Sequence, residues 1–283
     1  MAYLLIPNFL PMPQDYRIER NRKMRTYDGP VIDAHIHPFI DTKDCIGRFG
    51  IPATLEEMAS TLKANGFTRA CGSVIERKKA ESFEDIKKLN RMCLQARDLY
   101  RDLFIPGIHV HGAFPEESVQ ELEYMYKEHS VRWIGELVAH SLGTGAYDSP
   151  GMFAIYETAV KLGVPVNIHC ADLAVVENVV KNFPRLNVVL AHPDDAASFL
   201  ERSGLVSRYK NLFLDISGTG LFRWGMLKYC VKLMGPEKIL FGTDFPICNP
   251  AMYVAGVLAE NLSPEENHLI FAGNFLRLTG MTL

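Results

Sequence analysis

The sequence predicts a single α/β domain, a (β/α)8 (TIM) barrel over residues 30–283 behind a short N-terminal extension, residues 1–29. Three observations predict it. Eight short apolar runs, rich in β-branched and aromatic residues, alternate with helical patterns. No break in composition divides them, which argues for one parallel sheet. The alternation also fills the chain length of one eight-stranded barrel, about 250 residues.

The strand runs are 30–36, 68–75, 103–110, 131–137, 164–169, 186–191, 211–216 and 238–243. Helical patterns cover 54–65, about 80–101, 115–129, 149–162, 172–182, 194–203 and 221–234. The first is entered by Thr54, with Glu57 three residues on, and stopped by Asn65-Gly66. After the last strand come 250–260, 263–271 and 274–279, and Ser263-Pro264-Glu265-Glu266 is a start signal. The competing architecture, an open doubly wound sheet, would place ligands at a switch point. Its nucleotide-binding version needs G-x-G-x-x-G after the first strand, and the chain offers only Gly143-Thr144-Gly145 and Gly218-Thr219-Gly220. Residues 1–29 mix proline and charge without a period, and their apolar pieces, Tyr3–Ile6 and Phe9–Leu10, are expected to dock on this subunit or on a partner, so a homodimer is one expectation.

Composition narrows the function classes. The net charge is −3, with no clustered basic stripe, so nucleic acid is not an expected partner; a small molecule is. The six cysteines are scattered without a CxxC pair, which reads as a reducing, cytoplasmic setting. No apolar run reaches the ~18–20 residues that span a bilayer, and the start of the chain, broken by Pro7 and Pro11, is a poor signal peptide, so no membrane association is expected.

The chemistry sits at the strand ends. The first run closes in His35 and His37, which share a strand face about 6–7 Å apart. Run four ends in Glu136, run five in His169, run six in His192 and run eight in Asp244. A barrel brings such ends together on its catalytic face. Imidazoles and carboxylates without a thiolate suit a divalent ion, Zn²⁺ first, Mn²⁺ or Fe²⁺ as alternatives. Such an ion lowers the pKa of bound water and polarises a substrate oxygen. Asp244 is the expected general base, and His192 the group that hydrogen-bonds the water or a developing oxyanion. Asp33 either orients a ligand or joins a polar layer. His109, His111 and His140 are candidates for substrate contact. Of Arg48, Arg77 and Arg223, one is expected to bind a substrate carboxylate. His129 and His268 fall in helical patterns and read as surface residues.

Three stretches carry a resemblance: Ile32-Asp33-Ala34-His35-Ile36-His37, Leu190-Ala191-His192-Pro193 and Phe241-Gly242-Thr243-Asp244-Phe245-Pro246. With the closing segment Glu266–Leu278, and in this order over roughly residues 30–280, they resemble the amidohydrolase superfamily, in its amidohydrolase-related branch. The resemblance implies a metal-bearing barrel with His35, His37, His169 and Asp244 as ligands and His192 as the catalytic histidine beyond them. Many binuclear members carry a carboxylated lysine at strand four. This chain has Glu136 in Ile134-Gly135-Glu136-Leu137, as Glu-bearing branches such as TatD-type nucleases do, so Glu136 is placed with the ligands, to bridge a second ion or bind a single one, with contact to substrate as the alternative, and one or two ions are allowed. The first functional expectation is hydrolysis of an amide, cyclic amide, lactone or ester bond in a small molecule. The alternatives are non-oxidative decarboxylation of an aromatic or enolic acid, TatD-like phosphodiester hydrolysis, and a non-catalytic metal- or ligand-binding barrel.

Overall fold

The structure is a computed structural model that describes residues 26–221 and 223–283. The apolar pieces of the N-terminal extension lie outside the described residues. All eight expected runs form strands: β1 Ile32–Ile36, β2 Arg69–Gly72, β3 Phe104–Pro106, β4 Ile134–Leu137, β5 Val166–Ile168, β6 Val188–Leu190, β7 Leu212–Asp215 and β8 Ile239–Leu240. Neighbouring strands pair in parallel, as β1-β2-β3 and as β4-β5-β6-β7-β8. Two single bridges join these arcs, Ile108 with Ile134 and Ile36 with Phe245. Backbone bonds from Gly135 N to Ile108 O (2.8 Å) and from Asp244 N to His35 O (2.8 Å) sew the two seams. The ring therefore closes beside Glu136 and beside His35 and Asp244.

The helices are α1 Leu55–Ala64, α2 Phe83–Leu99, α3 Pro115–His129, α4 Ala139–Leu142, α5 Pro150–Leu162, α6 Leu173–Asn182, α7 Ala196–Arg208, α8 Met226–Met234, α9 Pro250–Ala259, α10 Pro264–His268 and α11 Asn274–Thr279. Local chemistry explains the starts. Thr54 Oγ1 accepts from Glu57 N at 3.1 Å to open α1. Ser263 and Glu266 satisfy each other's backbone N–H at α10, a reciprocal capping box. A π-helical stretch, Leu269–Gly273, carries α10 into α11. The short α4 was not expected; it is one turn, ended by Gly143 at φ 77°.

Side chains on the strands part into two apolar layers. Val188 and Leu190 pack outward with the helices. Val189 between them points inward, as strand alternation requires. The inward layer joins Ile32, Ala34, Cys71, Ile105, Trp133, Phe213 and Leu240 to Ala272, Phe275 and Leu278 of the closing helical segment. This apolar floor leaves the C-terminal strand ends for polar side chains. Gly72 is fixed by space: a Cβ there would lie 1.8 Å from Ile36 O, so only glycine lets β1 and β2 come this close just below the histidines.

Candidate metal centre

Five strands deliver the site. On β1 the pairing register shifts between Asp33 and Ile36, and the rings of His35 and His37 converge until their Nε2 atoms are 3.3 Å apart. Asp33 stays behind them. Its carboxylate accepts from His35 N (3.0 Å), Thr243 N (3.0 Å) and Thr243 Oγ1 (2.5 Å), which clamps β1 to the chain leaving β8. Burial pushes its pKa up to about 7 against those hydrogen bonds. It therefore belongs to a polar layer rather than to a ring-orienting pair.

Glu136, buried at the end of β4, is the hub. Its Oε2 lies 3.3 Å from His35 Nε2 and 3.5 Å from His37 Nε2. Its Oε1 lies 2.8 Å from His169 Nδ1 and 3.1 Å from His192 Nε2. Asp244 closes the other side, with Oδ1 at 3.1 Å from His37 Nε2 and 3.8 Å from His35 Nε2. Three groups of donor atoms result, His35/His37/Asp244, Glu136/His169/His192 and His35/His192/Asp215. His192 and Asp244 adopt left-handed backbone conformations, φ 64° and 67°, which cost non-glycine residues on the order of 1–3 kcal/mol. Both side chains nonetheless reach the donor set, Asp244 at His37 and His192 at Glu136.

Electrostatics follow from this packing. Burial alone would raise the Glu136 pKa, but His35, His169 and His192 hold its carboxyl well below the usual range. Burial would lower His35, and Glu136 and Asp215 outweigh it, so its pKa stands well above normal. His192 is raised in the same way, with Glu136 overcoming burial.

The donor set fits a divalent cation. Asp244 Oδ1 is buried without a hydrogen-bond partner while it faces two imidazole nitrogens. A bare carboxylate oxygen of that kind costs free energy unless a cation completes it. All the donors are N and O, which suits Zn²⁺ or Mn²⁺ and needs no thiolate.

A family model described as amidohydrolase matches residues 32–280. The chain belongs to the amidohydrolase family. No curated protein matches it significantly. Among solved structures, 2,6-dihydroxybenzoate decarboxylase from Rhizobium is similar at TM-score 0.66 and 15% identity, covering 89% of this chain and 98% of the other. A 5-carboxyvanillate decarboxylase from Sphingomonas paucimobilis is similar at TM-score 0.67 and 15% identity, over 89% and 99%. A dihydroxybenzoic acid decarboxylase from Polaromonas sp. JS666, with bound manganese and the inhibitor 2-nitroresorcinol, is similar at TM-score 0.67 and 16% identity, over 89% and 97%. At such identities the likeness is one of fold, and it is the TIM-barrel amidohydrolase fold.

In this amidohydrolase the metal-type residues form the floor of a cavity of about 200 Å³. His37, Glu136, His169, His192 and Asp244 line it below, and Ile46, Ile75, Val138 and Ile247 form apolar walls. Arg48, Arg77 and His140 stand at its rim. The His140 ring meets the His169 ring edge-on, with centroids 5.2 Å apart. A larger groove of about 580 Å³ lies between α2 and α3, lined by Lys87, Arg91 and Glu117 among others, away from every donor group.

Two of the expected substrate contacts are placed elsewhere. His111 is buried under its own loop, where its Nδ1 accepts from Ala113 N at 3.2 Å and its ring packs on Phe114. Arg223 lies in the segment before α8, where it acts on Asp195. Neither lines the cavity. His109 is also buried, its Nε2 bonded to Val74 O at 2.8 Å.

Sequence reasoning passed over Asp215, the last residue of β7, and Ser217 just beyond it. Asp215 Oδ2 is 3.0 Å from His35 Nδ1, and Ser217 Oγ is 3.0 Å from both His35 Nδ1 and His192 Nδ1. The signal was present: an acid closes the otherwise apolar strand Leu212-Phe213-Leu214-Asp215.

Proposed function

We propose that the protein is a divalent-metal-dependent, non-oxidative decarboxylase of a small aromatic or enolic acid, with Zn²⁺ or Mn²⁺ as its ion. The observation that carries this reading is the cavity: two guanidinium groups and apolar side chains line about 200 Å³ beside an all-N/O donor set. That space suits a flat acid the size of a substituted benzoate. The solved decarboxylases of the same fold, which act on dihydroxybenzoate and carboxyvanillate, support it. Manganese in one of them supports the ion class.

His35, His37, Glu136, His169 and Asp244 would hold the ion, which when bound would polarise a phenolic or enolic oxygen of the substrate. The remaining work falls to the chain. Arg77 and Arg48 orient the anionic acid by charge-assisted hydrogen bonds. Ile46 and Ile75 give the reacting carbon apolar neighbours. Asp244 carries a proton to the carbon that bears the carboxylate. The bond to the carboxylate carbon then breaks, CO₂ leaves, and the electron pair stays with the substrate, so no oxidant or reductant is required. His192 Nε2, 3.1 Å from Glu136 Oε1, completes the donor atoms at the floor.

A second reading, hydrolysis of a lactone, ester or amide, is favoured by one feature. The unpartnered Asp244 Oδ1 is equally suited to take a proton from water. The substrate is in either case a small molecule rather than a nucleic acid. The reading puts the protein in a reducing, cytoplasmic setting, which its six free cysteines support. Among the described residues no helix is long and apolar enough to cross a membrane.

The test is a screen of Zn²⁺- and Mn²⁺-loaded protein against hydroxybenzoates, enolic acids, lactones and esters, with CO₂ release and ring-opened or cleaved acids read side by side. The reading predicts CO₂ from an acid, loss of turnover on chelation, and a fall of about 100-fold or more in kcat for Asp244→Asn. Hydrolysis products without CO₂ would replace it with the second reading.

A further inference from the structure

The back of the site is organised by one carboxylate and one hydroxyl. Asp215 is fully buried at the end of β7. Its Oδ2 meets His35 Nδ1 at 3.0 Å and accepts from Asn167 Nδ2 at 2.7 Å. Its Oδ1 accepts from Ser217 N at 3.1 Å, from His192 N at 3.4 Å, and from the Ser217 hydroxyl. Every one of these groups is a donor or can be one, so the carboxylate acts purely as an acceptor. Ser217 has a single hydroxyl proton, and Asp215 takes it. Toward the two rings, both 3.0 Å away, Ser217 Oγ can then only accept.

We propose that Asp215 and Ser217 are positioning residues that fix the tautomers of His35 and His192, so that both rings carry their proton on Nδ1 and turn an Nε2 lone pair toward the metal centre. For His35 this is the carboxylate–histidine arrangement that raises ligand basicity. For His192 it is a change of role. With its Nδ1 proton held by Ser217, the neutral ring presents an electron pair to the centre, beside Glu136 Oε1 at 3.1 Å and His169 Nδ1 at 3.2 Å. His192 thus joins Glu136 and His169 as a donor rather than standing apart as an acid. His37 is set the same way by a different acceptor, Ser73 O at 3.0 Å from its Nδ1. Space supports the fork as well: a Cβ at residue 218, φ 68°, would lie 2.6 Å from His192 Nδ1, so Gly218 is what lets the ring reach Ser217.

The inference rests on the metal reading of the site and is independent of which bond is broken. It is tested on ¹⁵N-histidine-labelled, Zn²⁺-loaded protein, where long-range ¹H–¹⁵N spectra report which ring nitrogen carries the proton, alongside Zn²⁺ affinity by chelator competition. Wild type and Ser217→Thr should show Nδ1–H rings for His35 and His192, with Kd values within about 3-fold of each other. In Ser217→Ala, His192 should leave the Nδ1–H form while His35, still held by Asp215, keeps it, and Zn²⁺ should bind about 10- to 100-fold more weakly. Asp215→Asn should weaken Zn²⁺ by at least about 10-fold and move the proton of His35. An Nε2–H ring at His192 in the loaded wild type overturns the inference. So do wild-type tautomers and an affinity within 2-fold in Ser217→Ala. If wild-type protein takes up no Zn²⁺ at all, it is the metal reading under the proposed function that fails.

Discussion

Replacing Glu136 by glutamine keeps the shape of the hub and removes its charge. Four imidazole nitrogens lie 2.8 to 3.5 Å from its two oxygens, and the side chain is buried. Taking one partner from a buried ionic group costs about 3–5 kcal/mol, because the remaining charge keeps its desolvation penalty. At about 1.4 kcal/mol per tenfold, that is roughly 100- to 5,000-fold in the Kd of the divalent ion. Chelator competition with Zn²⁺ and Mn²⁺ at fixed pH reads this directly. A second readout is folding stability of chelator-treated protein against pH. Glu136 is held below its ordinary 4.5, so its contribution is present above pH 4.5 and is lost as pH falls through its folded value. His35 and His192 are held above 6.5, so theirs is fully present below 6.5 and is lost as pH rises through their folded values. The windows overlap between pH 4.5 and 6.5, and there Glu136→Gln should lose most relative to wild type. A Kd within 3-fold of wild type, with parallel stability curves, would refute the placement of Glu136 at the centre.

Three further outcomes follow from the geometry. Arg77→Met should raise KM for an acidic substrate by about 10- to 100-fold, the worth of one charge-assisted hydrogen bond, with kcat within a few-fold; steady-state kinetics checks it. Phe275→Ala empties part of the barrel floor, where the ring lies 5.3 Å from Trp133 and is 2% exposed. It should cost about 3–5 kcal/mol and lower Tm by roughly 10 °C, while metal affinity stays unchanged in the folded protein. Burial pushes His109 down to about 4 from 6.5, so the folded ring stays neutral where the unfolded one takes a proton. Stability should therefore fall as pH drops below 6.5, by about 2 kcal/mol at pH 5, and His109→Gln should flatten that slope in urea titrations.

The barrel was legible because its signal is local. Each strand is a short apolar run, and each of the eight runs contains the strand found there. The site was legible in part for the same reason: His35, His37, Glu136, His169, His192 and Asp244 stand at or just beyond strand ends, where parallel pairing alone decides that they converge. What lay one step further was not. The strands proved shorter than the apolar runs, so His111, beyond the end of β3, sits in a loop whose path the alternation does not fix. Arg223 likewise lies in the segment between β7 and α8, whose path the alternation does not fix. Asp33 was expected either to orient a ligand or to join a polar layer, and the residue that decides between them, Thr243, lies 210 positions away.

Asp215 differs from these, because the sequence held enough to find it. A carboxylate in a strand flanked by Leu214 and Ile216 must be buried, and a buried charge persists only when donors surround it. The nearest donors at that depth of a barrel are the backs of the inward-facing histidines. The same reasoning sets the charge of the whole site. Glu136, Asp215 and Asp244 are all buried against four imidazoles. Such a set is balanced by protons on the rings or by a cation between them, and the two compete for the same lone pairs. Glu136 raises His35 and His192 because it supplies half of that balance, so the pKa directions and the metal affinity are two expressions of one electrostatic arrangement.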